Sequence, residues 1–483
     1  MRLAPPICSL CLLVATATAW AGGFTLTSFG GRRGGMLANL GRPDEPTALI
    51  HNPAGLADQP GVQLYLFVSP TLLSLDIEMQ ALDPARFPAI NAEGCGEPGA
   101  APCAWPIGAD GYYVDRIRPE RYFGVLPYLG ASTDLGFLGA RDVVVSVAGH
   151  APNFYGAYFP EDAPSAYNFI GGMFLVTGVT AGAGWRINRL LSVGASVSYH
   201  YMALSLSQKL SPANMLTPQG EAPGVMAKLA QVLLGDIRLD YSGTDHGVGW
   251  GAGLLLSPLP WLNIGLSYSG ATPATFTGDV TLEALGLAEE DREQLGELAG
   301  RLGYKLPREL RIQMAIPPSL AGGINVALGP AVELGLDLRL WLYNLYDRQT
   351  ITPIYDDDEA GEPAITEEAL SREKDYHLSY QVSAGVLVRP FSRWRQIELM
   401  TGAGYDQSPI PDETLTLDNP SLSQVKLTCG LRWQIDRHFR VSASYLLVIY
   451  IPRDITTSKT RPPTNVRGGG FSHSPALAAT YRF

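Results

Sequence analysis

Hydrophobic and polar residues alternate along most of the chain from about residue 61 onward. In one segment Leu191, Val193, Ala195, Val197 and Tyr199 occupy every second position, and serine, glycine and histidine lie between them. Because successive side chains of a strand point to opposite faces, this pattern predicts strands with one apolar face and one small or polar face. Such strands are typical of a transmembrane barrel, in which lipid contacts one face and the lumen the other.

The alternating segments predict an all-β fold, a transmembrane antiparallel β-barrel of about 14 strands. An even strand number brings both ends of the barrel to one side. The short connections fall on that side, which the barrel rule identifies as the periplasm, and the long connections fall outside. The predicted strands are 61–76, 119–131, 141–152, 167–187, 190–207, 237–257, 261–280, 311–328, 331–350, 376–390, 395–407, 421–435, 440–452 and 470–483.

The last residues of the chain have the same period. Counting back by twos from Phe483 gives Tyr481, Ala479 and Leu477, which form one apolar face. A terminal strand with an aromatic last residue is typical of an outer-membrane barrel, whose final strand closes the ring. The tail alone also allows the alternative of a half-buried strand in a soluble sandwich.

The first residues favour export. Arg2 supplies a positive charge, residues 7–17 are mostly apolar but too few to span a bilayer, and Ala19-Trp20-Ala21 has the form of a signal-peptidase site. Residues 1–21 are therefore predicted to be a cleaved signal peptide, so that the mature chain begins at Gly22. We expect the destination to be the bacterial outer membrane.

Composition agrees with a membrane barrel. Only 17% of the 483 residues are charged, the mean hydropathy is +0.06, and the mature chain has no apolar run of helix-spanning length. The net charge of −11 argues against nucleic acid as a partner.

Cys95 and Cys103 lie in one Gly/Pro-rich stretch and predict a loop disulfide in an exported protein, with two free thiols as the alternative. No metal site is predicted, since the acidic run at 356–359 is typical of a solvated loop.

Residues 22–60 do not alternate. They are rich in glycine, proline and asparagine, which favour tight turns, and they precede the first strand. This segment, called the hatch below, is predicted to fold inside the lumen as an N-terminal plug, whereas residues 61–483 form the barrel. Two of the long connections, 282–298 and 225–234, have apolar residues at helical spacing and predict short helices.

The hatch resembles the FadL-type outer-membrane transporters of long-chain fatty acids and hydrocarbons. The similarity is carried by Gly23 to Leu26 and by Glu45 to Ala57, which contains Asn-Pro-Ala-Gly-Leu-Ala. Two later stretches, Gly404 to Pro411 and Ala148 to Gly156, are also similar to family segments. The connections 77–118 and 281–310 depart from the family pattern and put loop-borne ligand contacts in doubt.

The resemblance implies a 14-stranded barrel with a hatch, and passive uptake of a hydrophobic molecule without a cofactor. Loops would capture the substrate, the hatch would shift, and the substrate would leave sideways through a gap in the wall. We hypothesise that the gap lies at Gly149 and Pro152, because proline cannot donate to the strand ladder and glycine permits a bend, with an ordinary strand end at Pro152 as the alternative. The candidate ligand contacts are Phe24, Leu26 and Phe29, with plain packing as the alternative. The hatch motif itself consists of Asn52, Pro53, Ala54 and Gly55.

Other functions have less support from the sequence. No catalytic motif such as Gly-x-Ser-x-Gly or His-Glu-x-x-His occurs, so no enzymatic activity is predicted. A general diffusion porin, or a surface-binding barrel without hydrophobic transport, is the alternative, since Asp337, Arg339 and Lys426 are predicted to face the lumen. The predicted partners are the hydrophobic small molecule, the outer-membrane lipid and the barrel-assembly machinery, and the chain is expected to act as a monomer.

Overall fold

A computed structural model describes residues 29–83, 87, 105–211, 236–285, 294–301, 303–356, 361–363, 365, 367–390 and 396–483. The predicted signal peptide and the Cys95–Cys103 pair lie outside these residues, as do the predicted helix at 225–234 and most of the acidic run. None of the helices within the described ranges has the length and apolar character needed to cross a membrane.

Fourteen antiparallel strands form one closed barrel, as the alternation predicted. Four of them, β1, β7, β8 and β9, are each interrupted once. The strands are β1 (Val62–Pro70 and Leu72–Met79), β2 (Arg121–Leu135), β3 (Ala140–Tyr158), β4 (Gly171–Arg186), β5 (Leu191–Leu210), β6 (Ile237–Leu259), β7 (Leu262–Ser269 and Thr272–Ala284), β8 (Glu309–Ile316 and Ser319–Leu328), β9 (Val332–Trp341 and Ile351–Ile354), β10 (Ser379–Val388), β11 (Ile397–Asp406), β12 (Gln424–Gln434), β13 (Phe439–Asp454) and β14 (Val466–Arg482).

The first and last strands close the ring. β1 pairs with β14 from Gln63↔Arg482 to Val68↔Leu477, and its other edge pairs with β2. Burial is the reverse of that in a soluble protein, because the outer surface holds large apolar side chains such as Leu129, which is 64% exposed, and Val197, which is 58% exposed. This outward apolar surface is what a lipid environment requires of a barrel.

The strand β9 is interrupted where a continuous strand was predicted. The pattern predicted a strand over 331–350, but the first part of β9 ends at Trp341 and a 3₁₀ turn follows at Tyr343–Leu345. The strand resumes at Ile351–Ile354, which pairs with Glu309–Ile312 of β8. The neighbouring β8 is interrupted at Pro317 and Pro318, which have no N–H to donate to a ladder. The chain of β9 turns away at that level, and its Leu342 N–H donates to the carbonyl of Pro318.

Only the two ends of the helix predicted over 282–298 are described. Its predicted first residues belong to β7, since Glu283 and Ala284 continue the ladder that β7 forms with β6. A helix is described at Gln294–Arg301, and residues 286–293 lie outside the described residues.

The described part of the hatch, residues 29–60, lies inside the barrel. It contains two short helices, α1 (Gly31–Met36) and α2 (Ala48–His51), and a 3₁₀ helix at Pro53–Asp58. α1 packs against β10 to β14, and the 3₁₀ helix packs against β3 to β6, so the hatch contacts both sides of the wall. The predicted plug therefore occupies the lumen.

Glycines of the wall form the seat of the hatch. A Cβ at Gly385 would lie 2.0 Å from the carbonyl oxygen of Met36, and one at Gly265 would lie 1.9 Å from the carbonyl oxygen of Leu40. Both neighbours are hatch backbone, which cannot rotate away as a side chain can. The seat thus requires residues without a side chain at these positions of β10 and β7.

We expect Gly265→Val to expel the hatch and leave the barrel folded, because strand pairing does not involve the inner Cβ. The measurement is limited proteolysis of hatch residues in the purified protein, with heat-modifiable gel mobility as the assay for the barrel. Gly322→Val is the control, since the nearest atom to its Cβ is a flexible Leu266 methyl at 3.2 Å. Equal protection of the hatch in both variants would contradict the seat.

Candidate functional site: hatch, wall and upper cavity

Buried ion pairs attach the hatch to the wall. Arg33 Nη1 of α1 lies 3.1 Å from Asp337 Oδ2 of β9, and both side chains are at most 4% exposed. The same carboxylate accepts hydrogen bonds from the backbone N–H groups of Asn39, at 2.8 Å, and Leu40, at 3.2 Å. One wall residue thus holds three groups of the hatch, and paired burial is what makes such a charge tolerable.

Glu333, four residues earlier on the same face of β9, holds further guanidinium groups. It accepts from Arg32 and Arg42 of the hatch, each at 2.8 Å, and from Arg389 at 2.7 Å. The side chain of Glu333 is only 1% exposed. Two hatch cations thus converge on one carboxylate of the wall, which adds a second attachment point beside Asp337.

Three strands further along the wall the charges are exchanged, and Arg32 and Arg389 connect the two sets of ion pairs. Arg432 of β12 is buried and contacts two carboxylates of the hatch, Asp44 at 3.0 Å and Glu45 at 3.4 Å. It also pairs with Glu398 of β11. The hatch therefore carries cations toward β9 and anions toward β12, so its orientation in the lumen is set by charge.

The residues of the Asn-Pro-Ala-Gly motif lie on the other side of the hatch, against β5 and β6. Asn52 Oδ1 accepts from the N–H of Ala54 at 3.2 Å, and its Nδ2 donates to Leu40 at 3.1 Å and to Leu254 of β6 at 3.2 Å. Asn52 is completely buried. Its side chain thus links two parts of the hatch to the barrel, and Pro53 begins the 3₁₀ helix with its fixed φ.

Replacing Asn52 by Ala should loosen the hatch locally. The Ala54 N–H loses its acceptor and the Leu40 carbonyl loses the Asn52 donor, and each buried polar group left unsatisfied costs about 1–3 kcal/mol of stability. We expect faster hydrogen exchange of the Ala54 amide than in the unmodified protein, whereas the Leu40 amide keeps its bond to Asp337. Unchanged exchange at Ala54 would exclude this role for Asn52.

Of the three candidate ligand contacts, the structure describes Phe29, whereas Phe24 and Leu26 lie outside the described residues. Phe29 is 1% exposed, and its ring centroid lies 6.2 Å from those of Phe67 and Tyr128 and 6.0 Å from that of His150. It is thus packed between the hatch and the wall, on the lumen side of the predicted gap.

The wall is irregular at this level. On the edge of β3 that faces β2, His150 pairs with Tyr128, and regular pairing resumes where Tyr155 pairs with Gly124. Four residues of β3, 151–154, therefore lie opposite three residues of β2, 125–127. On the edge that faces β4, His150 pairs with Gly178, and regular pairing resumes where Asn153 pairs with Val176. Two residues of β3, 151–152, therefore lie opposite the single residue Thr177 of β4. β3 therefore has one residue more than each neighbour at the same place, which is a β-bulge toward both.

Of the two residues predicted for the gap, Pro152 lies within the unpaired stretch. Gly149 lies just before it, in regular pairing with Leu129 and Val179. A Cβ at Gly149 would have no neighbour within 4 Å. The irregularity thus depends on the extra residue and on the missing N–H of Pro152, not on space at Gly149.

Above the hatch, a cavity lies between the upper parts of β3 to β5 and the long connections. Most of its lining is apolar and consists of Tyr155, Phe169, Met173, Phe174, Leu206 and Met314. Tyr155 stands at the upper end of the bulge, with its ring centroid 5.7 Å from that of Phe174. The cavity therefore adjoins the irregular part of the wall.

One end of this cavity is polar. Lys374 and Asp418, on two different long connections, line it together with Asn419 and Gln349. Lys374 is 2% exposed, and burial lowers the pKa of its ammonium while Asp418 opposes that change. Burial would raise the pKa of Asp418, but Lys374 and Arg372 outweigh it and hold that pKa below its ordinary value.

Sequence reasoning missed this polar end. Lys374 and Asp418 fall in non-periodic connections, where nothing in the local pattern distinguishes a buried charge from a solvated one. The glycine seat was also missed, since glycines in alternating strands indicate only a small lumen-facing residue. Cys429 is a free cysteine exposed on the outer face of β12.

Comparisons with known proteins agree with the architecture. The family model described as "Outer membrane protein transport protein (OMPP1/FadL/TodX)" matches residues 174–483, more than half of the chain. A comparison with curated proteins gives no match.

Several solved structures share the fold. A Pseudomonas aeruginosa FadL homologue is 16% identical, with a TM-score of 0.71, and the match covers 95% of this chain and 100% of that one. The Pseudomonas putida toluene transporter TodX is 16% identical, with a TM-score of 0.64, covering 96% and 100%. The Ralstonia pickettii toluene transporter TbuX is 17% identical, with a TM-score of 0.59, covering 94% and 98%.

These findings exclude the soluble sandwich and favour transport over enzymatic activity. The family is one of outer-membrane channels for hydrophobic molecules, not of enzymes. The chain belongs to the OMPP1/FadL/TodX family of outer membrane transport proteins.

Proposed function

We propose that this protein takes up single hydrophobic molecules by passive diffusion and releases them sideways into the outer membrane. The substrate would enter the upper cavity from the long connections, pass Tyr155, and leave through the wall at residues 151–154. The signal peptide would be cleaved after Ala21, and the barrel-assembly machinery would insert the chain as a monomer. No cofactor would take part.

The observation that carries the proposal is the bulge of β3 beside the apolar cavity. The hatch fills the lumen below, so the axial route is occupied by buried ion pairs. Exposing the surface of an apolar molecule to water costs a free energy of about 25 cal/mol per Å². This cost disfavours a water-filled path. A lateral path from an apolar cavity to lipid avoids that cost.

Hatch movement would follow from its attachments. The predicted mobile part precedes α1, and Phe29 lies between the hatch and the wall at the level of the bulge. A ligand that displaced Phe29 would push on α1 and its ion pairs. Phe24 and Leu26 would extend the same apolar contact.

The test is uptake into bacterial cells that lack their own transporter of this type. We expect expression of the protein to increase uptake of radiolabelled palmitate or toluene, and the purified protein to show little steady ion current in planar bilayers. Large steady current without increased uptake would favour a general porin. Neither current nor uptake, with the barrel correctly inserted, would favour a surface-binding role.

A further inference from the structure

The wall contains a second bulge, in β13. Regular pairing with β14 ends at Tyr450 and resumes at Arg453, so that Ile451 and Pro452 together lie opposite the single residue Gly469. One extra residue on one strand of an antiparallel pair is a β-bulge, and Pro452 has no N–H to donate to the ladder. The wall is therefore locally weakened here, as it is at Pro152 of β3.

This bulge is not the frayed end of β13. Arg453 and Asp454 pair with Gly468 and Arg467 of β14 beyond it, so the ladder continues above the irregular place. On its other edge β14 pairs with the second part of β1, Leu72–Met79, in one continuous register. The irregularity thus belongs to one place, the contact between β13 and β14.

The bulge lies at the upper rim of the lipid-facing surface. Ile449, Ile451 and Phe471 are exposed apolar side chains on the outer face of β13 and β14. Just above them on the same face, Arg467 of β14 forms an ion pair with Glu78 of β1. Apolar and charged outer surface therefore meet at the level of the bulge, where a molecule that crossed the wall would enter lipid.

A second cavity lies directly behind the bulge. On the wall side it is bounded by Gly468 and Gly469, which carry no side chains, so backbone alone separates it there from the outer face. Within the described part of the chain its lining has one charged side chain, Arg453, whose guanidinium donates to Asp412 and, at 2.7 Å, to the carbonyl of Ile410. Most of the remaining lining is apolar and includes Leu75, Ile77, Leu415, Leu417, Leu422 and Val466.

One connection separates this second cavity from the upper cavity. In residues 407–423, between β11 and β12, Leu415 and Leu417 line the second cavity, whereas Asp418 and Asn419 line the upper one. The barrel therefore holds two cavities divided by this connection, and each of them adjoins its own proline-containing bulge.

We propose that the β13 bulge is a second lateral exit, which passes hydrocarbons without a polar head group from the second cavity into the outer membrane. This inference rests on the proposed function and adds an exit to it. A carboxylate in the second cavity would be buried without a free partner, because Arg453 is already engaged, and such burial is costly. A hydrocarbon has no polar group to desolvate and gains from leaving water.

The experiment uses single and combined deletions of Pro152 and Pro452 in cells that lack their own transporter of this type. Deletion of Pro452 leaves Ile451 alone opposite Gly469 and restores regular pairing with β14. We expect the Pro152 deletion to lose uptake of radiolabelled palmitate but to keep uptake of radiolabelled toluene. The double deletion should reduce toluene uptake to that of cells without the protein. Deletion of Pro452 alone should leave palmitate uptake unchanged.

Two further variants separate the exit from a folding defect, with heat-modifiable gel mobility as the assay for the barrel. Deletion of Ile451 also removes the extra residue but keeps the proline, and it should act on toluene uptake as deletion of Pro452 does. Leu417→Asn places an amide in the apolar cavity. In the Pro152-deleted protein it should lower toluene uptake, whereas in the otherwise unmodified protein it should leave palmitate uptake unchanged.

Ile449→Ala is the matched control. Ile449 lies on the same outer face of β13 but pairs regularly with Phe471, so its replacement changes neither register nor cavity. Uptake of both probes should equal that of the unmodified protein. A loss of toluene uptake as large as that in the Pro452 deletion would show that any change in this surface has the same effect, and would overturn the second exit.

The outcomes also distinguish this inference from the proposed function. If deletion of Pro152 alone abolishes toluene uptake together with palmitate uptake, release through β3 stands and the second exit is wrong. Full toluene uptake by a correctly assembled double deletion would likewise overturn it. If cells with the unmodified protein take up neither probe, the proposed function fails and the inference with it.

Discussion

Deletion of Pro152 should abolish uptake of palmitate while the barrel still assembles. β3 has one residue more than β2 and one more than β4 at the same level, so removing a single residue there restores regular pairing on both edges. Residues 153–158 keep their present partners, and no side chain changes face. The restored ladder closes the wall with backbone hydrogen bonds. Uptake of radiolabelled palmitate should then fall to that of cells without the protein.

Gly149→Val is the matched control for the deletion. It adds a side chain two residues upstream of the unpaired stretch, where a Cβ meets nothing within 4 Å, and it leaves the extra residue in place. Cells that express Gly149→Val should take up as much palmitate as cells that express the unmodified protein. A double replacement of Gly149 and Pro152 by Val or Thr would restore the N–H but not the register, so we expect partial loss. Full uptake after deletion of Pro152, with normal heat-modifiable mobility, would reject lateral release at this position.

Asp337→Ala should release the hatch. The substitution removes the carboxylate that pairs with the Arg33 guanidinium and accepts from two backbone N–H groups of the hatch, all in a buried site. Breaking a buried pair by removing one partner costs about 3–5 kcal/mol. A cost of that size raises the population of a displaced hatch by at least about a hundredfold. In planar bilayers the variant should show frequent ion-conducting openings where the unmodified protein shows little current.

Asp406→Ala is the control for this effect. Asp406 is also a buried carboxylate of the lumen wall, but its ion pair, at 2.8 Å, is with Lys426 of the neighbouring strand. Its loss removes that wall pair and part of the charge attraction on Arg33, but the Asp337 hydrogen bonds to the hatch stay in place. Openings of equal frequency in both variants would show that the current comes from a weakened barrel and not from the hatch.

Much of the fold could be predicted from local pattern. The fourteen alternating segments, the even strand number and the terminal strand follow from the period of two that lipid and lumen impose on every strand. The hatch was distinguished by the loss of that period and by its Asn-Pro-Ala-Gly motif. Asp337 was predicted to face the lumen, because alternation fixes the side on which a residue lies. The interruption of β9 was not predicted, since alternation along β9 carries no information about Pro317 and Pro318, which deprive the neighbouring strand of N–H donors.

By itself, then, the sequence determined which faces meet lipid and which meet the lumen, and that the leading segment differs from the rest. Only the tertiary structure decided what those faces contact. Arg33 and Asp337 are 304 positions apart, and ring closure brings them together. The extra residue of β3 is defined only against the registers of β2 and β4. Lys374 and Asp418 meet because two long connections fold over one cavity. Periodicity is local and can be read along one strand, whereas register, burial of charge and shared cavities arise between segments distant in the chain.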